Sequence, residues 1–422
     1  MGALPSPDLD RVADDLETLS SFRDPDAPGW TRRVFSSFDG AGREWGAGRM
    51  EQAGLSVEID AASNLIGKLP GSGALPGAIV TGSHTDTVDG GGRFDGIIGV
   101  LGAIEMVRCL RQAGTDLAHD LVVVDFLGEE PNDFGLSCLG SRAIVGALDE
   151  SHLALLGPEG TSLDQAIAGC DGHPAELAGA RWQPGLCCYL ELHIEQGPVL
   201  EQSHVPIGVV TGIAGIHRLL AHFVGQADHA GTTPMGLRRD ALLGAAEMAL
   251  AVERLAPGGV ATSGRLETRP GALNVVPCEA ELWAEARSVV EQWLDEFGHN
   301  IAEQLESIGA RRHLRTSLEW LSQAPPVPAT GWVSGAITGA AASLGVETIA
   351  MASGAGHDAS HMARLGPMGM VFVPSRGGRS HCPEEWTDIE EIGTGIAVLG
   401  ETVIICDYRE EAAPGEAVQR AT

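Results

Sequence analysis

Apolar and polar positions change rhythm along the chain, and the change divides it. Residues 8–53 carry apolar side chains at helical spacing in a polar remainder and read as mostly helical. Three short apolar runs follow: Ala78–Val80, Leu121–Leu127 and Cys187–Ile194. Each reads as a buried strand. Gly96–Leu110 is largely apolar, which predicts a buried helix. Strands alternating with helices predict an α/β fold whose mostly parallel sheet is covered on both faces.

After about residue 210 the rhythm changes. Arg218–Val224 alternates as a half-exposed strand, and Arg238–Leu255 is an amphipathic helix. Val260–Glu267 and Cys278–Ala286 read as strands, Val289–Ile308 as a helix and His313–Trp320 as a last strand. The order β-α-β-β-α-β is the split βαβ pattern of a ferredoxin-like α+β domain. Pro325-Pro326-Val327-Pro328 predicts a stiff linker, after which Trp332–Tyr408 returns to alternation. The chain thus divides into a first domain in two parts, 1–210 and 326–422, interrupted by an inserted domain over 211–325. The tail after Tyr408 is polar and reads as frayed.

Composition narrows the partners. A chain of 422 residues exceeds what one core usually serves, in keeping with two domains. The 57 Asp and Glu outnumber the 27 Lys and Arg, a net charge of -30 that repels phosphate backbones and predicts no nucleic-acid partner. An anionic substrate would need a local positive group in its pocket. No run reaches the ~18 apolar residues of a membrane span. The first ten residues lack the basic and apolar regions of a signal peptide, so the expected location is cytoplasmic with no membrane partner. Met1-Gly2-Ala3-Leu4-Pro5-Ser6 fits M-G-x-x-x-S, a lipidation pattern short enough to arise often by chance. No two of the eight cysteines have C-x-x-C spacing, and adjacent Cys187-Cys188 lie in an apolar run; we read buried thiols rather than a disulfide framework.

Histidines and acids gather at or near the ends of the expected strands, where open α/β sheets collect ligands. In His84-Thr85-Asp86 an extended backbone puts both outer side chains on one side, so His84 suits a metal and Asp86 its other ring nitrogen. Asp86 is equally a capping residue. Asp95 is framed by glycines in Gly90-Gly91-Gly92-Arg93-Phe94-Asp95-Gly96 and could bridge two cations or cap the next helix. Glu129-Glu130 at the end of an apolar strand need something positive beside them. One would ligate and the other act as general base toward a water, unless the pair is a solvated turn. His193 and His381 complete a set of imidazoles and carboxylates suited to zinc, manganese or cobalt. His119, His152, His173, His299 and His313 lie in polar stretches and read as surface residues.

Six segments in fixed order carry a family resemblance. They are His84-Thr85-Asp86, Gly91–Gly96, Glu129-Glu130, His193-Ile194-Glu195-Gln196-Gly197, Ala227–Met235 with its Asp228-His229-Ala230-Gly231, and Ser375–His381. Together, over about residues 60–395, they resemble the N-carbamoyl-L-amino-acid hydrolase, allantoate amidohydrolase and β-ureidopropionase group of dinuclear metallohydrolases. The resemblance implies that His84 and His193 hold one divalent ion, Glu130 and His381 a second, and Asp95 bridges. It implies Glu129 as general base, Asp86 as the acid that orients the metal-binding His84, and the inserted domain as a lid and dimerisation domain of a homodimer. His229 would reach the neighbouring subunit's site and stabilise the oxyanion, while Gln196, Asn274 and Arg287 would contact substrate, Arg287 gripping a carboxylate. One stretch departs: where the group has a Gly-Ser-Arg-Phe-like sequence after its Glu pair, this chain has Pro131-Asn132-Asp133-Phe134-Gly135. The missing Arg changes the pocket's charge and puts the substrate class in doubt.

The expected function is metal-dependent hydrolysis of a C–N bond in an N-carbamoyl or related amide group on a small carboxylate-bearing substrate, such as an N-carbamoyl-L-amino acid or allantoate. The alternatives are an aminoacylase or dipeptidase acting on N-acyl amino acids, and a non-catalytic metal-binding protein. The His193 segment and Asp228–Gly231 weigh against the first, and the intact Glu129 against the second.

Overall fold

The computed structural model describes residues 4–183 and 185–408. Met1–Ala3 of the lipidation pattern and the polar tail after Tyr408 lie outside the described residues. Among the described residues thirteen strands occur: β1 (Ser56–Ile59), β2 (Leu65–Leu69), β3 (Ala78–His84), β4 (Asp120–Phe126), β5 (Leu186–Ile194), β6 (Ile207–Ile213), β7 (Gly215–Val224), β8 (Val260–Arg269), β9 (Glu279–Ser288), β10 (Arg315–Ala324), β11 (Val327–Pro328), β12 (Thr348–Ser353) and β13 (Met368–Val373).

The fold is mixed α/β, with one large sheet and a separate antiparallel one. The large sheet runs β1-β2-β4-β3-β5-β13-β6-β11, and β12 pairs with β6. Its four central strands, β4, β3, β5 and β13, are mutually parallel. The β1–β2, β2–β4, β13–β6 and β6–β11 pairs are antiparallel. Every residue of β3 and β13 is buried, as a strand covered on both faces requires. Helices Ile97–Ala113, Gly331–Ser343 and Ile389–Asp407 contribute to the main core, where Ile104, Leu192, Val371 and Ile396 pack together. A smaller cluster around Leu127, Leu139 and Leu163 forms a separate core.

The described residues fall into two compact units, one within 1–211, 329–351 and 356–422, the other Gly212–Pro328 with Ala352–Ala355. The second unit holds the β10-β7-β9-β8 sheet, antiparallel throughout. Helices Ala241–Arg254 and Glu291–Arg312 fill its core against Phe223, Leu282 and Leu219. The chain order β-α-β-β-α-β and this strand order together make the ferredoxin-like arrangement.

Two expectations gain detail and one needs correction. Residues 8–53 form two helices, Leu9–Ser21 and Ser37–Ala53, separated by a loop rich in Pro, Asp and Gly. Asp8 and Ser36 cap the two N-termini by accepting from Arg11 N and Asp39 N, which sets the restart. The Pro-rich 325–328 stretch is not only a linker: Val327 and Pro328 pair with Ile213 and Gly212 as an edge strand, a position where a proline's missing N–H is tolerated. His119 is buried rather than exposed, and its Nδ1 lies 3.1 Å from Asp407 Oδ1. Asp407 also accepts from the Ala118 and His119 amides, an arrangement that reaches across 288 residues and leaves no local pattern.

Candidate active site

All four parallel strands end at one place. His84 is the last residue of β3, and His193 the penultimate residue of β5. Glu129 and Glu130 follow β4 after a Leu127-Gly128 step, and the segment after β13 leads to His381. Asp95 stands just before the Ile97–Ala113 helix. Gly96 beside it has φ 69°, and a Cβ there would overlap the His84 ring, so only glycine lets Asp95 sit this close.

Asp95 is the centre of the arrangement. Its Oδ1 lies 3.1 Å from His193 Nε2 and 3.9 Å from His84 Nε2. Its Oδ2 lies 3.1 Å from His381 Nε2, which is itself 3.3 Å from Glu130 Oε1. Two groups of potential ligand atoms result, His84–Asp95–His193 and Asp95–Glu130–His381, and they share one carboxylate. The first is closed to solvent, with side chains 1–8 % exposed; in the second, the His381 side chain is 47 % exposed. The other ring nitrogens are held: His84 Nδ1 lies 3.0 Å from the Asp86 carbonyl, and His193 Nδ1 2.9 Å from that of Ile194. Each ring thus turns Nε2 inward, the orientation a metal ligand needs.

The electrostatics ask for positive charge. Burial pushes the Glu129 carboxyl well above its usual range, the His84 imidazole opposes that, and Glu130 and Asp358 add to it. Burial would lower His84, but Glu129, Asp86 and Glu130 outweigh it and raise its pKa well above the ordinary value. Hydrogen bonds to Asp95 and Glu130 push His381 up to about 11. In both groups the neighbouring acids favour positive charge, which a cation would also supply. Imidazole nitrogens and carboxylates in this ratio fit zinc, manganese or cobalt.

Glu129 is held from both sides. Its Oε2 lies 3.6 Å from His84 Nε2, and the Cys138 thiol donates to its Oε1 at 3.4 Å. The Asp86 carboxylate accepts from the Glu129 and Glu130 amides at 3.1 and 3.2 Å, so it orients the Glu pair through the backbone. It also lies 3.4 Å from His84 Nδ1, where the backbone carbonyl is the nearer partner. Gln196, with φ 58°, donates from Nε2 to Asp95 Oδ2 at 2.6 Å, and its Oε1 is buried with no hydrogen-bond partner.

Comparison with known proteins shows the family. The profile of the Peptidase family M20/M25/M40 matches residues 80–404. The chain belongs to the M20/M25/M40 family. It is 38% identical over 396 residues to an N-carbamoyl-L-amino-acid amidohydrolase of Paenarthrobacter aurescens, covering 92% of this chain and 96% of that protein. It is also 38% identical to a ureidoglycolate hydrolase of Oryza sativa subsp. japonica, over 93% of this chain and 83% of that one. A solved amidase of the hydantoinase/carbamoylase family from Burkholderia multivorans superposes with a TM-score of 0.87 at 32% identity, over 95% of this chain and 98% of that one. The resemblance seen in the six segments therefore holds, and this M20 chain is an amidohydrolase.

Three residues singled out in the sequence lie in the second unit of this M20 enzyme. His229 is exposed and bridges to Val275, with its Nδ1 3.0 Å from the Gly231 amide. Asn274 is exposed, and its carbonyl accepts from Ala230 N at 2.9 Å. Arg287 donates to Glu285 Oε1 and, at 2.8 Å, to the Gly354 carbonyl. Four buried residues near the candidate ligands escaped the sequence reading: Glu191, His357, Asp358 and Glu385. Glu191 was findable, because it sits two residues before His193 and so on the same face of β5. It accepts from Ser83 Oγ, Tyr189 OH and Ala359 N, and with His193 and His357 it forms a further group of possible ligand atoms. His357 packs edge-on against the His193 ring at 4.5 Å. Among the described residues no helix is long and apolar enough to cross a membrane, and no disulfide forms.

Proposed function

We propose that the enzyme hydrolyses a ureido or related non-peptide amide C–N bond on a small carboxylate-bearing substrate, such as an N-carbamoyl-L-amino acid or allantoate. The observation that carries this reading is the two-sided Asp95 carboxylate, each oxygen facing a different set of ligands. His84 and His193 would hold one divalent ion, Glu130 and His381 a second, with Asp95 common to both. Such ions, zinc or else manganese or cobalt, supply Lewis acidity to the scissile carbonyl and lower the pKa of water.

The chain's own residues do the rest. Glu129 takes the proton of the attacking water and returns it to the leaving nitrogen. Its raised basicity, from burial and nearby acids, suits that exchange. Cys138 and the Asp86-held backbone fix where the Glu129 carboxylate points. The unpartnered Gln196 Oε1 supports a role in accepting an N–H of the ureido group. His229 and Asn274 would donate to the developing oxyanion, and Arg287 would hold the substrate carboxylate.

The inserted unit, 211–325 in the sequence reading, would act as lid and dimerisation domain, with His229 serving the site of a second copy. Support comes from its exposed apolar positions. Leu243 and Leu250 lie seven residues apart on one helix face, and the edge strand β8 pairs only with β9 among the described residues. We place the enzyme in the cytoplasm, where thiols such as buried Cys109, Cys138 and Cys188 stay reduced.

The test is a substrate panel with metal analysis. Metal-loaded protein should bind about two ions per chain and turn over N-carbamoyl amino acids or allantoate faster than N-acetyl or N-formyl amino acids. Full activity in metal-free protein, or a preference for N-acetyl substrates, overturns the reading.

A further inference from the structure

Asp95 has a second carboxylate behind it. Glu385 is 2 % exposed, four residues beyond His381, and its side chain points back at the Asp95 turn. Its Oε1 accepts from the Phe94 amide at 2.9 Å and the Asp95 amide at 3.1 Å. Its Oε2 lies 2.8 Å from Ser380 Oγ, and the same hydroxyl lies 2.7 Å from Asp95 Oδ2. Glu385 therefore grips Asp95 through the backbone, and the single Ser380 hydroxyl proton lies between the two carboxylates. Room for this comes from Gly92, where a Cβ would overlap the Glu385 carboxyl.

We propose that Glu385, acting through Ser380, is the positioning residue that holds Asp95 so that one carboxylate can serve both ligand sets. The inference rests on reading Asp95 as a metal ligand. A carboxylate on a loop can turn about χ1 and χ2, and a turn that favours His193 carries the other oxygen away from His381. Three contacts oppose that turn: the two amides set the backbone, and Ser380 sets the oxygen facing His381. Gln196 Nε2 adds a donor to the same oxygen. Ser380 adjoins His381, which has φ 55°, so the loop that carries a ligand to the second set also carries the hydroxyl that aims the shared carboxylate. Placing Asp95 and placing His381 are then one event.

The requirement is geometric, and that makes it separable from charge. A glutamine at 385 keeps the length of the side chain. Its carbonyl oxygen can accept from both amides, and its NH2 can donate to Ser380 Oγ, leaving the serine proton for Asp95. An alanine can do neither. Losing a residue that orients a ligand typically costs about 10–100-fold in metal affinity.

The experiment is calorimetric titration of the metal-free full-length protein with zinc, following both binding steps, with circular dichroism as the check on folding. Glu385→Ala should weaken at least one step by about 10–100-fold, while Glu385→Gln should titrate like the parent. Ser380→Ala leaves the two amide contacts in place and should weaken binding less than Glu385→Ala; it replaces that variant in the test if the latter does not fold. Unchanged affinity in Glu385→Ala, or in Ser380→Ala where it stands in, overturns this inference and leaves the metal reading intact. Equal losses in Glu385→Ala and Glu385→Gln overturn it as well, since charge and not aim would then matter. A parent chain that takes up no zinc overturns both readings together.

Discussion

The two units hold their candidate functional residues in opposite ways. At the strand ends of the first, His84, Asp95, Glu129 and His193 are buried, and each makes at least one polar contact that fixes its direction. In the second, His229 and Asn274 are exposed, and Arg287 is engaged with Glu285 and Gly354. The first set is built before any substrate arrives, which is the condition for electrostatic catalysis at low reorganisation cost. On the proposed function, proton transfer falls to the buried set and substrate and oxyanion contacts to the other, and mutations should separate the two.

The largest effect belongs to the buried set. Glu129→Gln should lower kcat by about 10²–10⁴-fold while leaving zinc uptake in place; parallel turnover and titration measurements check both halves. Next comes His229→Ala, with an expected loss of about 10²–10³-fold if it donates to the oxyanion. Mixing Glu129→Gln with His229→Ala protein, with subunit exchange verified by mass-tagged chains, should restore activity if His229 acts in trans. No recovery with proven exchange places it in cis. Arg287→Ala should act on KM more than on kcat, by about 10–100-fold, as loss of a charged hydrogen bond implies. Arg287→Lys should recover only part, because an ammonium cannot form the two-pronged contact. Equal effects on kcat would erase the proposed division.

Smaller effects sharpen it further. Cys138→Ala removes one weak donor from Glu129 and should slow turnover by no more than about tenfold. Glutamates at Leu243 and Leu250 should change the stability of a single chain by less than about 0.5 kcal/mol per exposed site. Sedimentation should nevertheless show a dimer falling to monomer if this face joins two copies.

What could be read from the sequence follows the same division. β3, β4, β5 and the ferredoxin-like order stood out because continuous apolar runs or clean alternation leave few other solutions. β1, β2, β6 and β12 did not: β1 is mostly exposed, and β12 is buried in no regular pattern. β11 hides in a proline run and pairs over only two residues. Histidines and acids at strand ends were legible because strand polarity places them. Glu385 was not, since its partners Phe94 and Asp95 lie about 290 residues away and its own neighbours, Glu384 and Trp386, look like an ordinary polar turn. His119 misled for the same reason: its partner Asp407 is remote, and the adjoining Asp120 is exposed.

The acids gathered at the strand ends bear on how long the protein lasts. Asp86, Asp95, Glu129, Glu130, Glu191, Asp358 and Glu385 are all buried there, drawn from distant stretches of the chain. A newly made polypeptide must bring these mutually repelling groups together before a cation can settle between them. Whatever binds the folded chain alone stabilises it by RT ln(1 + [L]/Kd), about 2.7 kcal/mol at a hundredfold excess over Kd. On the metal reading, ion supply then governs survival as well as turnover. Since degradation follows the population of opened molecules, a cell short of the ion would clear this polypeptide sooner, and abundance would fall along with activity.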